Sequence, residues 1–232
     1  MEFTKLSNRL DLVASFVPAG ARLLDVGSDH AYLPIALLQE GKIEVAIAGE
    51  VVEGPYQSAL QNVADNGLED KIEVRLANGL AAFAPTDGIS CITIAGMGGR
   101  LIADILAAGL EKLASVSRLV LQPNNREDEL RAWLVDHDFR IVDEAILEEN
   151  EKFYEILVVE QGSQELSAKE LRFGPYLMRE QAPAFVQKWS KEVEKLAFAL
   201  EQVPVENQSA RASLEERIAQ IKEVLHVSKR SH

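Results

Sequence analysis

The 232-residue sequence has little cysteine, no long apolar run and a shortage of positive charge. Its single cysteine, Cys91, excludes an intramolecular disulfide and lies in an apolar run that predicts a buried core position. No apolar run approaches the roughly 20 residues that a membrane-spanning helix needs. The polar stretch from Met1 to Arg9 lacks the pattern of a secretory signal. We therefore expect a cytoplasmic protein with no membrane or metal partner, and nothing here implies a protein partner.

The charge balance argues against a protein whose whole surface binds nucleic acid. The chain holds 24 Lys and Arg against 37 Asp and Glu, a net charge of −13. The imbalance lies in residues 1–163, whereas residues 164–232 hold 11 basic and 10 acidic residues. Composition alone favours a substrate other than nucleic acid, and any RNA contact would have to use local patches or the C-terminal part.

A strand, a glycine turn and a helix follow one another near the N-terminus. Residues 23–26 predict a short buried strand, 27–29 a tight turn and 33–38 a helix. The free N–H groups of a first helical turn point at whatever binds there, so this arrangement is typical of a cofactor site.

The glycine pattern of this turn indicates which cofactor it suits. A dinucleotide-binding loop needs G-x-G-x-x-G, whereas here the spacing is Asp25-x-Gly27-x-Asp29-x-Ala31. The Asp29 carboxylate would repel a phosphate, which disfavours NAD, FAD and ATP but not the cationic sulfonium of S-adenosylmethionine. The pattern resembles motif I of the class I methyltransferases with its last two glycines replaced. The alternative is that Asp29 only caps the helix.

The order of predicted elements indicates an α/β fold. Five strands alternate with helices up to residue 121, and a helix and two strands, 139–147 and 154–159, follow. The last two strands predict an antiparallel hairpin, so we expect a mostly parallel, seven-stranded, Rossmann-like class I methyltransferase sheet. A further helix over residues 4–16 is expected to lie against the sheet edge.

The C-terminal part has a different periodicity. Phe185 to Leu200 and Leu214 to Leu225 both carry apolar residues at heptad-like spacing, and residues 203–207 separate them. This predicts an antiparallel helical hairpin, a small coiled coil, with Pro183 starting or kinking its first helix. We therefore divide the chain into a methyltransferase domain, 1–162, and a coiled-coil domain, 163–232.

Polar and glycine residues follow several strands, at the sheet edge where α/β ligands bind. Glu50 could accept hydrogen bonds from ribose hydroxyls, or be a solvated loop residue. Asn78 could pair with an adenine edge, or be an ordinary turn residue. The glycines in Gly96–Met97–Gly98–Gly99 allow a ligand to approach the backbone closely.

Several motifs together resemble one family, the bacterial tRNA (adenine-22-N1)-methyltransferases. They are residues 6–10, 25–34, 94–99, 121–124, 130–134 and 153–156, reading LSNRL, DVGSDHAYLP, IAGMGG, LQPN, LRAWL and FYEI. The resemblance covers essentially the whole chain. It implies methyl transfer from S-adenosylmethionine to N1 of an adenine in the D-loop region of tRNA, with the coiled coil helping to hold the tRNA.

The positions of these residues along the chain, together with the chemistry of methyl transfer, indicate a set of site residues. The catalytic candidate is Asp29. The cofactor candidates are Asp25, Gly27, Ser28, His30, Glu50, Asn78, Gly79, Ala95, Gly96 and Met97. The substrate candidates are Arg9, Tyr32, Gln122, Pro123, Asn124, Arg126 and Tyr154. Phe153 is either a base-stacking residue or part of the hairpin packing, and Arg131 is either a phosphate contact or a surface ion-pair partner. Two rival functions remain: a methyltransferase acting on a small molecule or protein, and a cofactor-sensing adaptor.

Overall fold

A computed structural model describes residues 4–227, with side chains through Leu225. Within these residues one sheet has the strand order β3-β2-β1-β4-β5-β7-β6. Its strands are β1 Arg22–Val26, β2 Val45–Glu50, β3 Ile72–Leu76, β4 Cys91–Met97, β5 Arg118–Pro123, β6 Phe139–Glu149 and β7 Lys152–Gln161. The α-helices are α1 Asn8–Ser15, α2 Tyr32–Gln39, α3 Glu53–Asp65, α4 Gly99–Ala107, α5 Glu127–Asp136, α6 Ala168–Phe173, α7 Leu177–Glu180, α8 Pro183–Gln202 and α9 Gln208–Val227.

The sheet is buried on both faces. Neighbouring residues of each strand point to opposite sides, and each side packs against helices. Leu23 of β1 packs with α1, α2 and α3, whereas Leu24 packs with α4 and α5. Cys91 of β4 is fully buried on the first of these faces, as its apolar surroundings predicted. Two helical layers thus enclose the parallel strands. The carboxyl ends of these strands remain accessible to a ligand.

The closing hairpin is confirmed. β7 pairs antiparallel with both β5 and β6, while the other pairings are parallel. Asn150 and Glu151 form its turn with φ of 53° and 62°. Two left-handed residues in a two-residue turn match the twist of the strands they join.

The N-terminal helix differs from its prediction in length and place. It begins at Asn8 and not at residue 4, because the Ser7 hydroxyl accepts a hydrogen bond from the Leu10 N–H and caps it. It contacts β4 and β5 in the middle of the sheet, as well as β6, so the predicted position at the sheet edge is wrong. Its buried residues Val13 and Ala14 join the core there.

The helical hairpin is also present, since α8 and α9 pack together and Pro183 is the first residue of α8. The short helices α6 and α7, which the sequence did not predict, precede it. The hairpin shares an apolar cluster with the sheet, in which Ile146 of β6 joins Phe173, Phe185 and Trp189. The division into domains at residue 162 stays a prediction. The outermost residues of the two predicted domains, 1–3 and 228–232, lie outside the described chain. No helix within residues 4–227 combines the length and apolar character needed to span a membrane.

Candidate active site

A cavity of about 300 Å³ opens at the carboxyl ends of β1 and β4. Helix α1 covers one side of it, and β7 contributes a tyrosine. The lining residues are Arg9, Leu10, Asp25, Gly27, Ser28, Asp29, Ala95, Gly96, Met97, Asn124 and Tyr154. The structure therefore brings together most of the predicted cofactor residues, the predicted catalytic Asp29 and three predicted substrate residues.

The turn between β1 and α2 has an unusual backbone. Asp29, His30 and Ala31 follow one another with φ of 43°, 66° and 58°. Each left-handed residue costs about 1 kcal/mol unless it is glycine, with Asp tolerated best. The helix N-cap is Ala31 without a side-chain hydrogen bond, and the Asp29 side chain is 84% exposed. Asp29 therefore does not cap the helix, and its carboxylate lies at the cavity rim, 3.5 Å from His30 Nε2.

Gly27 begins this turn with a left-handed backbone, at a φ of +67°. The Gly27 N–H donates to the Gly49 carbonyl at the end of β2. The left-handed φ favours glycine here, whereas the end of the flexible Met97 side chain, which lies against Gly27, could move to admit a Cβ atom.

Asp25 is a buried carboxylate held by neutral donors. The Ser28 hydroxyl donates to its Oδ2 atom and the Thr93 hydroxyl to its Oδ1 atom, both at 2.6 Å. Burial raises the pKa of Asp25 to about 6, although these two hydrogen bonds act in the opposite direction. The site thus contains an acid that ionises close to neutral pH.

Glu50, at the end of β2, is buried beside the same turn. Its side chain accepts a hydrogen bond from the Asp29 N–H, and the residue is only 6% exposed. Burial raises the pKa of Glu50, and the backbone hydrogen bond partly offsets that shift. The alternative of a solvated loop glutamate is therefore wrong.

The end of β5 is tied to the end of β4 by Gln122, which is fully buried. Its Oε1 atom accepts hydrogen bonds from Arg9 Nη1 at 2.7 Å and from the Gly96 N–H at 3.0 Å. Its Nε2 atom donates to the Pro123 carbonyl and to Asn124 Oδ1. Asn124 in turn donates to the Gly96 carbonyl at 2.7 Å. The Gln122 amide is thus occupied in shaping the cavity wall, a role that sequence reasoning missed.

Arg9 reaches across the cavity from α1. Besides its bond to Gln122, its guanidinium lies 5.6 Å from the centre of the Tyr154 ring. The predicted substrate residues Arg9, Asn124 and Tyr154 therefore form one wall. Pro123 is buried where β5 pairs with Met97.

The remaining predicted residues lie around this cavity. His30 and Tyr32 line a shallow groove beside α3, with ring centres 5.4 Å apart. Asn78 and Gly79 line a second cavity, of about 380 Å³, between the loop after β3 and α4. The exposed Arg126 side chain pairs with Glu129 at the start of α5.

Two further basic and aromatic candidates are excluded from the site. Arg131 is fully buried and donates to Glu144, Glu155 and the Leu171 carbonyl, so neither a phosphate contact nor a surface ion pair describes it. Phe153 points to the face of β7 opposite Tyr154 and packs in the apolar cluster of the helical hairpin. Among residues 4–227 no group of three or more His, Cys, Asp or Glu side chains could hold a metal ion.

Comparisons with known proteins agree with this geometry. Residues 23–223 match the family described as tRNA (adenine(22)-N(1))-methyltransferase, TrmK. The chain is 41% identical to the Bacillus subtilis protein of that name, over 97% of this chain and 99% of the other.

Two solved structures, one with the cofactor and one with the cofactor product, are also similar. The Streptococcus pneumoniae protein Sp1610, a tRNA (m1A22) methyltransferase candidate in complex with S-adenosyl-L-methionine, is 66% identical with a TM-score of 0.89, covering 96% of this chain and 100% of its own. The M. capricolum TrmK, in complex with S-adenosyl-homocysteine, is 28% identical with a TM-score of 0.83, covering 96% and 98%. The chain belongs to the tRNA (adenine(22)-N(1))-methyltransferase family.

Proposed function

We propose that this protein methylates N1 of adenine 22 in tRNA, with S-adenosylmethionine as the methyl donor. The observation that carries the proposal is the pair of buried carboxylates, Asp25 and Glu50, at the ends of β1 and β2. Neither forms an ion pair within the described chain, and each has a raised pKa. Buried acids without a cation suit a positively charged ligand with hydrogen-bond donors. A tRNA substrate also implies that the enzyme works in the cytoplasm.

The residues that line the cavity at the ends of β1 and β4 fit the cofactor. S-adenosylmethionine supplies an electrophilic methyl group on a positively charged sulfur. We assign its amino-acid part to Asp25, Gly27, Ser28, Ala95, Gly96 and Met97. Glu50 would accept hydrogen bonds from the ribose hydroxyls, and the second cavity, with Asn78 and Gly79, would take the adenine ring. His30, whose ring faces the groove beside α3, would act through the backbone of the turn.

Asp29 is our candidate for the chemical step. Neutral adenine N1 has a lone pair and can attack without losing a proton, and the product carries a positive charge. The exposed Asp29 carboxylate at the cavity rim would stabilise that charge, or accept a proton from the exocyclic amine. The other demand is orientation, with N1 held about 3–3.5 Å from the methyl carbon.

The target base has to leave any pairing before its N1 atom is accessible. We assign its contacts to the wall formed by Arg9, Asn124 and Tyr154, in which Tyr154 offers a ring for stacking. Gln122 and Pro123 would support this wall from behind. Tyr32, in the groove beside α3, and Arg126, at the start of α5, would contact tRNA outside the cavity.

The test is a methylation assay with the full chain, isotopically labelled S-adenosylmethionine and unmodified bacterial tRNA. We expect labelled 1-methyladenosine in the nucleoside digest, and no label in a matched tRNA that carries guanine at position 22. If every tRNA tried stays unlabelled while the cofactor binds, the substrate is a small molecule or a protein instead.

A further inference from the structure

A separate cleft of about 430 Å³ lies between the sheet and the C-terminal helices. We call it the tail cleft. The residues that matter for its chemistry come from β7, α6, α8 and α9, and they are Phe153, Arg172, Trp189, Lys191, Lys195 and Arg217. None of them belongs to the cofactor cavity or to the wall assigned to the target base.

Four acidic residues line the tail cleft beside five basic ones, and of these acids Glu127 and Glu155, at its base, are neutralised, whereas Asp128 and Glu192 are the other two. Lys188 donates to Glu155 at 2.7 Å and to Glu127 at 3.2 Å, and Glu155 also accepts from the buried Arg131. The cations nearer the opening are poorly matched by acids. Arg217 and Lys195 lie 3.6 and 3.7 Å from the same Glu192 carboxylate.

Two cations of the tail cleft form no ion pair within the described residues. The Arg172 guanidinium donates to the neutral Gln220 amide at 2.6 Å, and the Lys191 ammonium lies 5.1 Å from the centre of the Phe153 ring. Burial and the charge of Arg217 lower the pKa of Arg172, and the charges of Glu192 and Asp128 only partly offset that shift. Cations held together in this way create a local positive potential in a chain whose net charge is −13.

The tail cleft also contains an unpartnered donor. Trp189 is only 8% exposed, and its Nε1 atom is buried without a hydrogen-bond acceptor. An unsatisfied buried N–H group costs free energy, so a native structure normally supplies an acceptor. Lys188 and Arg172 lie 5.3 and 5.7 Å from the centre of the same ring. An anion with several acceptor oxygens suits this place, because it can accept a hydrogen bond from the indole N–H and pair with the cations at the same time.

We propose that the tail cleft binds a phosphate group, through Arg172, Lys191 and the Trp189 N–H. The phosphate could belong to the tRNA backbone or to a free polyphosphate. The tRNA backbone is favoured by position, because the cleft residue Glu127 directly follows Arg126, which we assign to a tRNA contact. This part of the inference rests on the proposed function.

The first experiment measures tRNA binding by the full chain as a function of salt concentration. Lys191→Gln should weaken binding several-fold and reduce the salt slope by about 1, because one phosphate contact is lost. Lys222→Gln is the matched control, since it removes the same charge from an exposed site of the helical hairpin outside the cleft. We expect KM for tRNA to rise in Lys191→Gln, with kcat at saturating tRNA changed much less and cofactor affinity unchanged.

The second experiment needs no tRNA. In a Trp133→Phe background, Trp189 is the remaining tryptophan, and its fluorescence is followed while inorganic triphosphate is added at constant ionic strength. We expect a saturable change that Arg172→Gln removes. A triphosphate response with no effect of Lys191→Gln on tRNA binding would identify a free polyphosphate as the ligand, and a tRNA effect would identify the RNA backbone.

The proposal is overturned if Lys191→Gln matches Lys222→Gln in tRNA affinity and salt slope and triphosphate leaves the fluorescence unchanged. Failure of the proposed function, as opposed to failure of the tail-cleft proposal, gives a different combination of results. In that case the wild-type chain methylates no tRNA, while the triphosphate titration still saturates. Thermal unfolding of each variant, measured in parallel, separates loss of binding from loss of structure.

Discussion

Two pairs of acidic side chains are almost equally buried but have different partners: one pair has only neutral hydrogen-bond donors, and the other has a buried cation. Asp25, which lines the active-site cavity, and Glu50, beside the turn after β1, are 4% and 6% exposed, while Glu144 and Glu155, beneath the C-terminal helices, are 2% and 1% exposed. The first pair is held by hydroxyl and backbone N–H donors only. The second pair shares the guanidinium of Arg131.

The effect of the partners on ionisation is clearest when Asp25 is compared with Glu155, because burial still raises the pKa of Glu144 in spite of the charge of Arg131. Burial raises the pKa of Asp25 to about 6, because no cation opposes it. Burial acts on Glu155 as well, but the charges of Arg131 and Lys188 outweigh it and lower its pKa overall. An acid paired inside the protein supports the fold, whereas a buried acid without a cation is available for a positively charged ligand. The buried cation, present at one pair and absent at the other, is what distinguishes the paired acids from those we propose to bind the cofactor.

The largest effect is expected from removing the cation of the structural pair. Arg131→Met keeps most of the apolar stem but leaves Glu144 and Glu155 buried without their guanidinium. The free energy of unfolding in urea should fall by about 3–5 kcal/mol. Arg140→Met is the control, because Arg140 is half-exposed and pairs with Glu160 on the surface, which is worth less than about 1 kcal/mol. Equal losses in the two variants would show that the buried network does not hold the helices to the sheet.

The next effect concerns the exposed acid at the rim of the cavity. Asp29→Asn removes the charge but keeps a residue type that tolerates the left-handed backbone at φ 43°. We expect methyl transfer to slow about 100-fold, in the range typical of losing one electrostatic contact in a transition state. Cofactor affinity from calorimetry should stay within a few-fold of wild type. Full activity in Asp29→Asn would remove this carboxylate from the mechanism.

Much of the fold could be predicted because its determinants are local and periodic. The alternation of apolar strands and helices predicted the parallel sheet, and the last two strands predicted the hairpin. Since the carboxyl ends of parallel strands meet at one edge, Asp25, Glu50 and Gly96 could be assigned to one site before any coordinates. The heptad spacing likewise predicted α8 and α9.

Other features depend on contacts that a sequence pattern does not contain. Arg131 sits beside the apolar positions Leu130 and Leu134 of α5, and its burial follows from two acids on strands further along the chain. The left-handed turn at Asp29, His30 and Ala31 has no glycine to mark it, so the direction of Tyr32 could not be foreseen. The short helices α6 and α7 lack the length to show a period.

The role proposed for Asp25 and Glu50 can be tested by measuring cofactor affinity. Glu50→Gln keeps the size of the side chain but replaces a carboxylate, which we assign to the cofactor ribose, by a neutral amide. Cofactor affinity should fall about 10- to 100-fold, as expected for a hydrogen bond to a charged group worth roughly 1.5–3 kcal/mol. Glu53→Gln, three residues further on at an exposed position of α3, should bind the cofactor normally. If both variants bind equally well, Glu50 is a structural residue like Glu144.

The smallest effect is a pH dependence that Asp25 should give to both stability and binding. Because its pKa is raised from 3.8 to about 6, the folded free protein binds more protons than the unfolded chain between these values, so ionisation of Asp25 reduces stability as pH rises through this window. The cationic cofactor prefers the ionised carboxylate, so its affinity should rise about tenfold between pH 5 and pH 7.5. Calorimetry near pH 6 should also detect release of a proton on binding. Asp25→Asn should reduce the pH dependence and the proton release to the part that Glu50 contributes, whereas a wild-type affinity that stays constant over this range would place Asp25 with the structural acids.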